Sequence, residues 1–186
     1  IHKADSPNYL FIDLNISNKT KPGTFKIKFK NETGDLIHDY KLDNKRVLKE
    51  QNNGFDSSDV VYLITPDRFA NGDYSNDIVK GLKEDRINRE DNYARHGGDL
   101  KGITKNMEYI NEMGFTALWL NPVLINDMKE GSYHGYATTD YYTVDPRFGT
   151  LSDYLDFSEK AKKNNIKLIK DIIVNHCGLY HWWMDD

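Results

Sequence analysis

Three short apolar runs, separated by helical patterns, constrain this chain more than anything else in it. They occupy 60–65, 115–120 and 166–174, the last interrupted by lysines and one aspartate. Between the first and second, Ile103, Met107 and Ile110 recur at helical spacing, and Gly114 stands where that helix would end. Between the second and third, Thr150 and Asp153 form a capping-box pair ahead of a stripe of Leu151, Tyr154, Leu155, Phe157 and Ala161. Strand, helix, strand, helix, strand is the rhythm of a parallel sheet. A complete (β/α)₈ barrel takes about 250 residues. With three such strands in 186 residues, the segment 57–186 reads as the first part of a (β/α)₈ barrel.

The N-terminal segment, 1–52, has a different period. Ile12, Leu14 and Ile16 alternate with polar residues, as do Phe25, Ile27 and Phe29, and then Leu36, His38, Tyr40 and Leu42. Pro22-Gly23 and the run at 31–35 supply turn chemistry. An antiparallel sheet with one wet face fits. A full immunoglobulin-like sandwich needs about 100 residues, so this segment reads as part of one. The polar stretch at 50–54 marks a linker.

A net charge of −4 gives no global attraction to nucleic acid. No apolar run is long enough to span a bilayer, and the first residues show no signal-peptide pattern. Cys177 stands alone, which excludes an internal disulfide and a cysteine-cluster metal site. None of this fixes a compartment.

Four stretches carry chemistry. After the first run, Asn71, Asp73, Asn76 and Asp77 crowd oxygen donors into seven residues. Calcium takes about six to eight oxygens, but the same residue types also make plain turns. In His96-Gly97-Gly98-Asp99 the full phosphate-loop fingerprints are absent, and Asp99 suits a helix N-terminus. The aromatic run from Ser132 to Tyr142 follows the second strand, on the face where barrels keep their active sites. It fits a sugar platform or loop packing equally. At the end of the third run, Asp171 lies in an apolar strand and needs a partner, with Asn175 and His176 following it.

Taken in order, these stretches resemble glycoside hydrolase family 13, the α-amylase family, and within it neopullulanases and cyclomaltodextrinases. The motifs are P-D-R-F-A-N-G-D with S-N-D, G-G-D-L-K-G-I, H-G-Y-A-T-T-D-Y-Y, and D-I-I-V-N-H at 171–176. The resemblance implies one structural calcium ion held by Asn71, Asp73, Asn76, Asp77, the carbonyl of Gly97, and Asp99. It implies that Tyr136 stacks on the sugar beside the scissile bond, that His176 hydrogen-bonds its hydroxyls, and that Asp171 supports the active-site floor. The implied substrate is an α-glucan, and the parent protein could form a homodimer through its N-terminal sandwich.

Retaining glycosidases use two carboxyl groups about 5–5.5 Å apart. In the family resembled, these lie on later strands, and Asp185 and Asp186 do not match them. The expectation is therefore an α-glucan hydrolase whose catalytic carboxylates lie outside this chain, which alone is inactive. Two alternatives stand beside it. One is a non-catalytic glucan-binding module using Tyr136, Tyr141, Tyr142, Trp182 and Trp183; the other is a barrel enzyme of different chemistry.

Overall fold

The computed structural model describes residues 1–3, 5, 9–31, 34–44 and 54–184. The chain divides into two compact units, Ile1–Asn52 and Asn53–Asp186. In the first, β1 (His2–Lys3) pairs antiparallel with β2 (Leu10–Phe11), and β3 (Gly23–Asn31) with β4 (Gly34–Leu42). Phe25 faces Tyr40, Ile27 faces His38 and Phe29 faces Leu36, so the period-two residues of both strands share one side. On the other side Lys28 reaches Asp35 at 2.5 Å.

The alternation at Ile12, Leu14 and Ile16 does not form a strand. Alternation marks a surface that could pair, but a ladder also needs a neighbour, and the described residues give this segment none. Most of the expected linker lies outside the described residues; only Gly54 is described.

The second unit contains a three-stranded parallel sheet in the order β5 (Val61–Ile64), β6 (Ala117–Leu120), β9 (Lys167–Lys170). A short antiparallel pair, β7 (Leu124–Ile125) and β8 (Asp140–Val144), follows β6. The first crossover carries α1 (Pro66–Phe69), α2 (Leu100–Lys105) and α3 (Met107–Glu112); the second carries α4 (Leu151–Lys163). The parallel sheet and its crossovers are those of the first three strands of a (β/α)₈ barrel. The third strand is shorter than its apolar run: it stops at Lys170, leaving Asp171 just beyond its C-terminal end. No described helix is long and apolar enough to cross a membrane.

One face of the sheet is covered. Ile64, Leu118 and Leu120 meet Ile103, Met107 and Ile110 from the first crossover, and Phe157 and Ala161 from α4. The expected helix of the first crossover is broken at Asn106 into α2 and α3, yet its three apolar residues remain fully buried. Gly114 ends α3 with φ of +83°, a conformation that glycine adopts without a Cβ penalty. The Thr150–Asp153 capping box is present on α4. Its stripe is narrower than the sequence suggests, because Leu151 in the first turn and Leu155, about 100° round from Tyr154, are exposed.

The N-terminal ends of the strands are pinned by polar groups. Asp59 accepts from Thr116 Oγ1 at 2.8 Å and from Lys167 Nζ at 2.7 Å, while Val60 N donates to Thr116 Oγ1 at 2.9 Å. One carboxylate thus joins segments leading into all three strands, fixing register where a one-residue slip would turn every side chain over. The bond from Lys167, with those from Asp56 N and Thr116, holds the Asp59 carboxyl down at about 2.

Two outcomes follow for stability. Phe157→Ala should cost about 3–5 kcal/mol in urea unfolding, and Leu155→Ala about 0.5 kcal/mol or less. For Asp59, the depressed carboxyl contributes fully above its ordinary value of 3.8 and loses that contribution as pH falls towards about 2. The midpoint difference between wild type and Asp59→Asn should therefore be flat at neutral pH and close across that acid window.

Candidate ion-binding loops and sugar-binding face

The loop after β5 and the loop before α2 are joined by two buried carboxylates. Asp67 accepts from Arg68 Nη1 at 2.7 Å, Arg95 Nε at 3.3 Å, His96 N at 2.8 Å and Gly97 N at 3.2 Å. Asp99 caps α2 through Gly102 N at 2.6 Å and also accepts from Gly72 N at 3.1 Å and Asp73 N at 2.8 Å. The helix-cap role expected of Asp99 is present, with a second role added to it.

These bonds bring the oxygen-rich residues together, though not all in the same way. Asn71 Nδ2 donates to Asp77 Oδ1 at 2.6 Å, and a side chain on Gly97 would run into Asp77 and Asn71. Asn71 Oδ1 and Asn76 Oδ1 are both buried without a hydrogen-bond partner among the described residues. Buried amide oxygens are rarely left in that condition. Asp73 points elsewhere: Lys101 Nζ lies 2.5 Å from it, and with Ser75 holds its carboxyl well below the usual range. Both Asp99 oxygens are engaged by backbone N–H groups. Among the described residues no group of three or more His, Cys, Asp and Glu is poised for a metal. What the loops offer is a set of amide and carbonyl oxygens with one carboxylate, Asp77, bonded to Asn71, which suits a hard cation better than a transition metal.

The second candidate lies at the C-terminal ends of β6 and β9. Tyr136 is presented by a turn in which Gly135 adopts φ of +79°, and a Cβ there would overlap the Pro122 carbonyl. Tyr136 N donates to His134 Nδ1 at 2.9 Å, and the two rings stack at 5.8 Å and 23°. Desolvation lowers the His134 pKa, favouring the neutral ring that this bond requires. His176 Nε2 bonds Tyr136 O at 3.0 Å, and Tyr141 Oη donates to His176 O. The Tyr136 hydroxyl donates to Asp171 Oδ2 at 3.0 Å; burial and this carboxylate raise its pKa. Tyr136, His176 and Asp171, picked out separately in the sequence, therefore form one cluster.

Of the other aromatics, Tyr141 joins this cluster through His176, while Tyr142, Trp182 and Trp183 group around His181. Tyr142 and Trp182 stack at 6.5 Å and 24° on the surface, while Trp182 and Trp183 pack on the buried ring of His181. Asp185 and Asp186 lie outside the described residues. Several residues of these sites are not evident from sequence. Trp119 Nε1 donates to Asp171 Oδ2 at 3.1 Å, but in the sequence it is one more apolar residue of a strand. Arg147, fully buried and paired with Asp145 at 2.7 Å, and Glu84, which accepts from Ser132 N at 2.8 Å, tie down the long loops. Neither leaves a signal in the local sequence pattern.

Comparison with known proteins agrees with this architecture. Residues 63–186 match the family model for the alpha amylase catalytic domain, and residues 1–46 match the cyclomaltodextrinase N-terminal domain. Neopullulanase 2 of Thermoactinomyces vulgaris is 40% identical over 64% of this chain and 20% of its own length. The cyclomaltodextrinase of Thermoanaerobacter pseudethanolicus is 35% identical over 86% of this chain and 26% of its own. The crystal structure of an Anoxybacillus alpha-amylase superposes with a TM-score of 0.62 and 42% identity, covering 68% of this chain and 26% of that one. The chain thus spans between a fifth and about a quarter of the length of these three relatives. It belongs to the α-amylase family of glycoside hydrolases, with a cyclomaltodextrinase-type N-terminal segment ahead of the barrel strands.

Proposed function

We propose that the protein carrying this chain is a retaining hydrolase of α-linked glucans, and that this chain supplies sugar-binding and ion-binding surface but not the catalytic carboxylates. The observation that carries the reading is the convergence of Tyr136, His176 and Asp171 at the C-terminal ends of parallel strands, where barrels place their active sites. An aromatic face backed by a second ring can stack on a pyranose, and the histidine beside it would bond a hydroxyl by exchanging its long contact to Asn175 or its bond to Tyr136 O. Asp171 is committed to two donors and acts as a support. The names of the relatives, neopullulanase and cyclomaltodextrinase, point to the same class of substrate.

The loops at 71–77 and 97–99 are read as one calcium site, with Asn71, Asn76, Asp77 and the Gly97 carbonyl as its nearest ligands and Asp73 and Asp99 in support. The two orphaned asparagine oxygens support that reading. Calcium there would neutralise the crowded oxygens and crosslink the two loops, so its role is structural. A second reading, glucan binding without turnover, rests on the exposed Tyr142–Trp182 pair.

Three measurements check these proposals. The purified 186-residue chain should show no turnover of maltoheptaose, while the full-length gene product hydrolyses it with retention; a full-length product that binds without cleaving it establishes the second reading instead. Calcium at a hundredfold its Kd should stabilise the chain by about 2.7 kcal/mol. Chelator should lower the melting temperature of wild type but not of Asn71→Ala, and an unchanged wild-type midpoint removes the calcium site.

A further inference from the structure

Trp119 is the residue of the sugar-binding face whose role is unexplained by packing. It stands on β6 between Leu63 of β5 and Ile169 of β9, on the side of the sheet away from the helices, and it is 40% exposed. Among the described residues its indole makes one polar contact, from Nε1 to Asp171 Oδ2 at 3.1 Å. The Tyr136 hydroxyl donates to that same oxygen at 3.0 Å. A single carboxylate oxygen therefore takes a donor from β6 and a donor from the loop after it.

This arrangement has a directional consequence. An aspartate side chain rotates about two bonds, and one hydrogen bond leaves it free to swing. Two donors converging on Oδ2 from separate elements fix where that oxygen lies. Tyr136 is already held at its N by His134 Nδ1, at its O by His176 Nε2, and along the ring by His134. The hydroxyl is the last point that sets the ring's tilt. An indole N–H suits the anchoring task because it only donates and does not titrate at ordinary pH.

We propose that Trp119 is a positioning residue, whose indole N–H fixes the Asp171 carboxylate and through it the angle at which Tyr136 presents its ring to a pyranose. The proposal rests on the reading of Tyr136 as the sugar-stacking residue. It assigns the tryptophan a role that phenylalanine, similar in shape but lacking the donor, could not fill.

The test uses the full chain labelled with ¹³Cζ-tyrosine, with the Tyr136 signal assigned from Tyr136→Phe, and maltotetraose as the probe sugar. Trp119→Phe leaves Tyr136 as the only one of the two donors to Asp171, so its phenol titration should move to higher pH. Asp171→Asn should move it to lower pH. Maltotetraose binding should weaken about 2- to 12-fold in Trp119→Phe, the worth of one hydrogen bond, and be lost in Tyr136→Ala. Asp171→Asn probes the same bond from its other side should Trp119→Phe fail to fold. The positioning role is overturned if Trp119→Phe (or, failing that, Asp171→Asn) leaves both the titration and the affinity at wild-type values while Tyr136→Ala loses the sugar. If Tyr136→Ala binds as wild type does, or wild type does not bind, the stacking reading fails instead. The titration then decides the anchor alone: a shift upholds it and no shift overturns it.

Discussion

The carboxylate of Asp99 is the contact on which the arrangement of the barrel unit depends. It is fully buried and accepts from three backbone N–H groups, one inside α2 and two in the loop after β5. Capping α2 starts the helix that carries Ile103 into the core, and gripping Gly72 and Asp73 draws the preceding loop across its N-terminus. The backbones come so close that a Cβ on Gly72 or Gly102 would overlap the other segment. Asp67 repeats the device a few residues away, with Arg95 balancing its charge. Buried carboxylates are tolerated when their oxygens are hydrogen-bonded, and here both oxygens of each carboxylate are. The crowding of Asn71, Asn76, Asp77 and Gly97 follows from this grip.

What the sequence made legible was local or periodic. The three strand runs, the capping box at Thr150 and the stop at Gly114 each depend on residues within a few positions of one another, and each appears in the structure. The alternation at 12–16 failed because pairing is a property of two segments, and only one of them is visible in a local pattern. Asp171 was recognised as a carboxylate needing a partner, but its partners sit 52 and 35 positions away. Spacing along the chain holds no record of such distances. Arg147 and Glu84 were missed for the same reason, since a charged residue in a loop reads as solvated until the loop is seen folded over it.

The candidate sugar-binding residues were identified by type and by their place after strands. Resemblance assigned roles to Tyr136 and His176, while the structure adds how they are held. A bond from the His176 side chain, through Nε2, to the Tyr136 backbone carbonyl joins the end of the third strand run to the loop after the second. That bond ties the placement of one residue to the other.

The parallel sheet connects this surface to folding. Such sheets are stable when both faces are covered, and here the helices cover one while Val61, Leu63 and Trp119 occupy the other. Trp119 lies on that open side, and its indole N–H ends on the carboxylate that also holds Tyr136. Protein packing against Val61 and Leu63 would press on the same indole and remove water from the bond to Asp171. A hydrogen bond strengthens as its surroundings lose water, so covering the sheet and fixing the angle of the Tyr136 ring become the same event. A covering on that side would therefore stiffen the Tyr136–Asp171 cluster as well as the sheet.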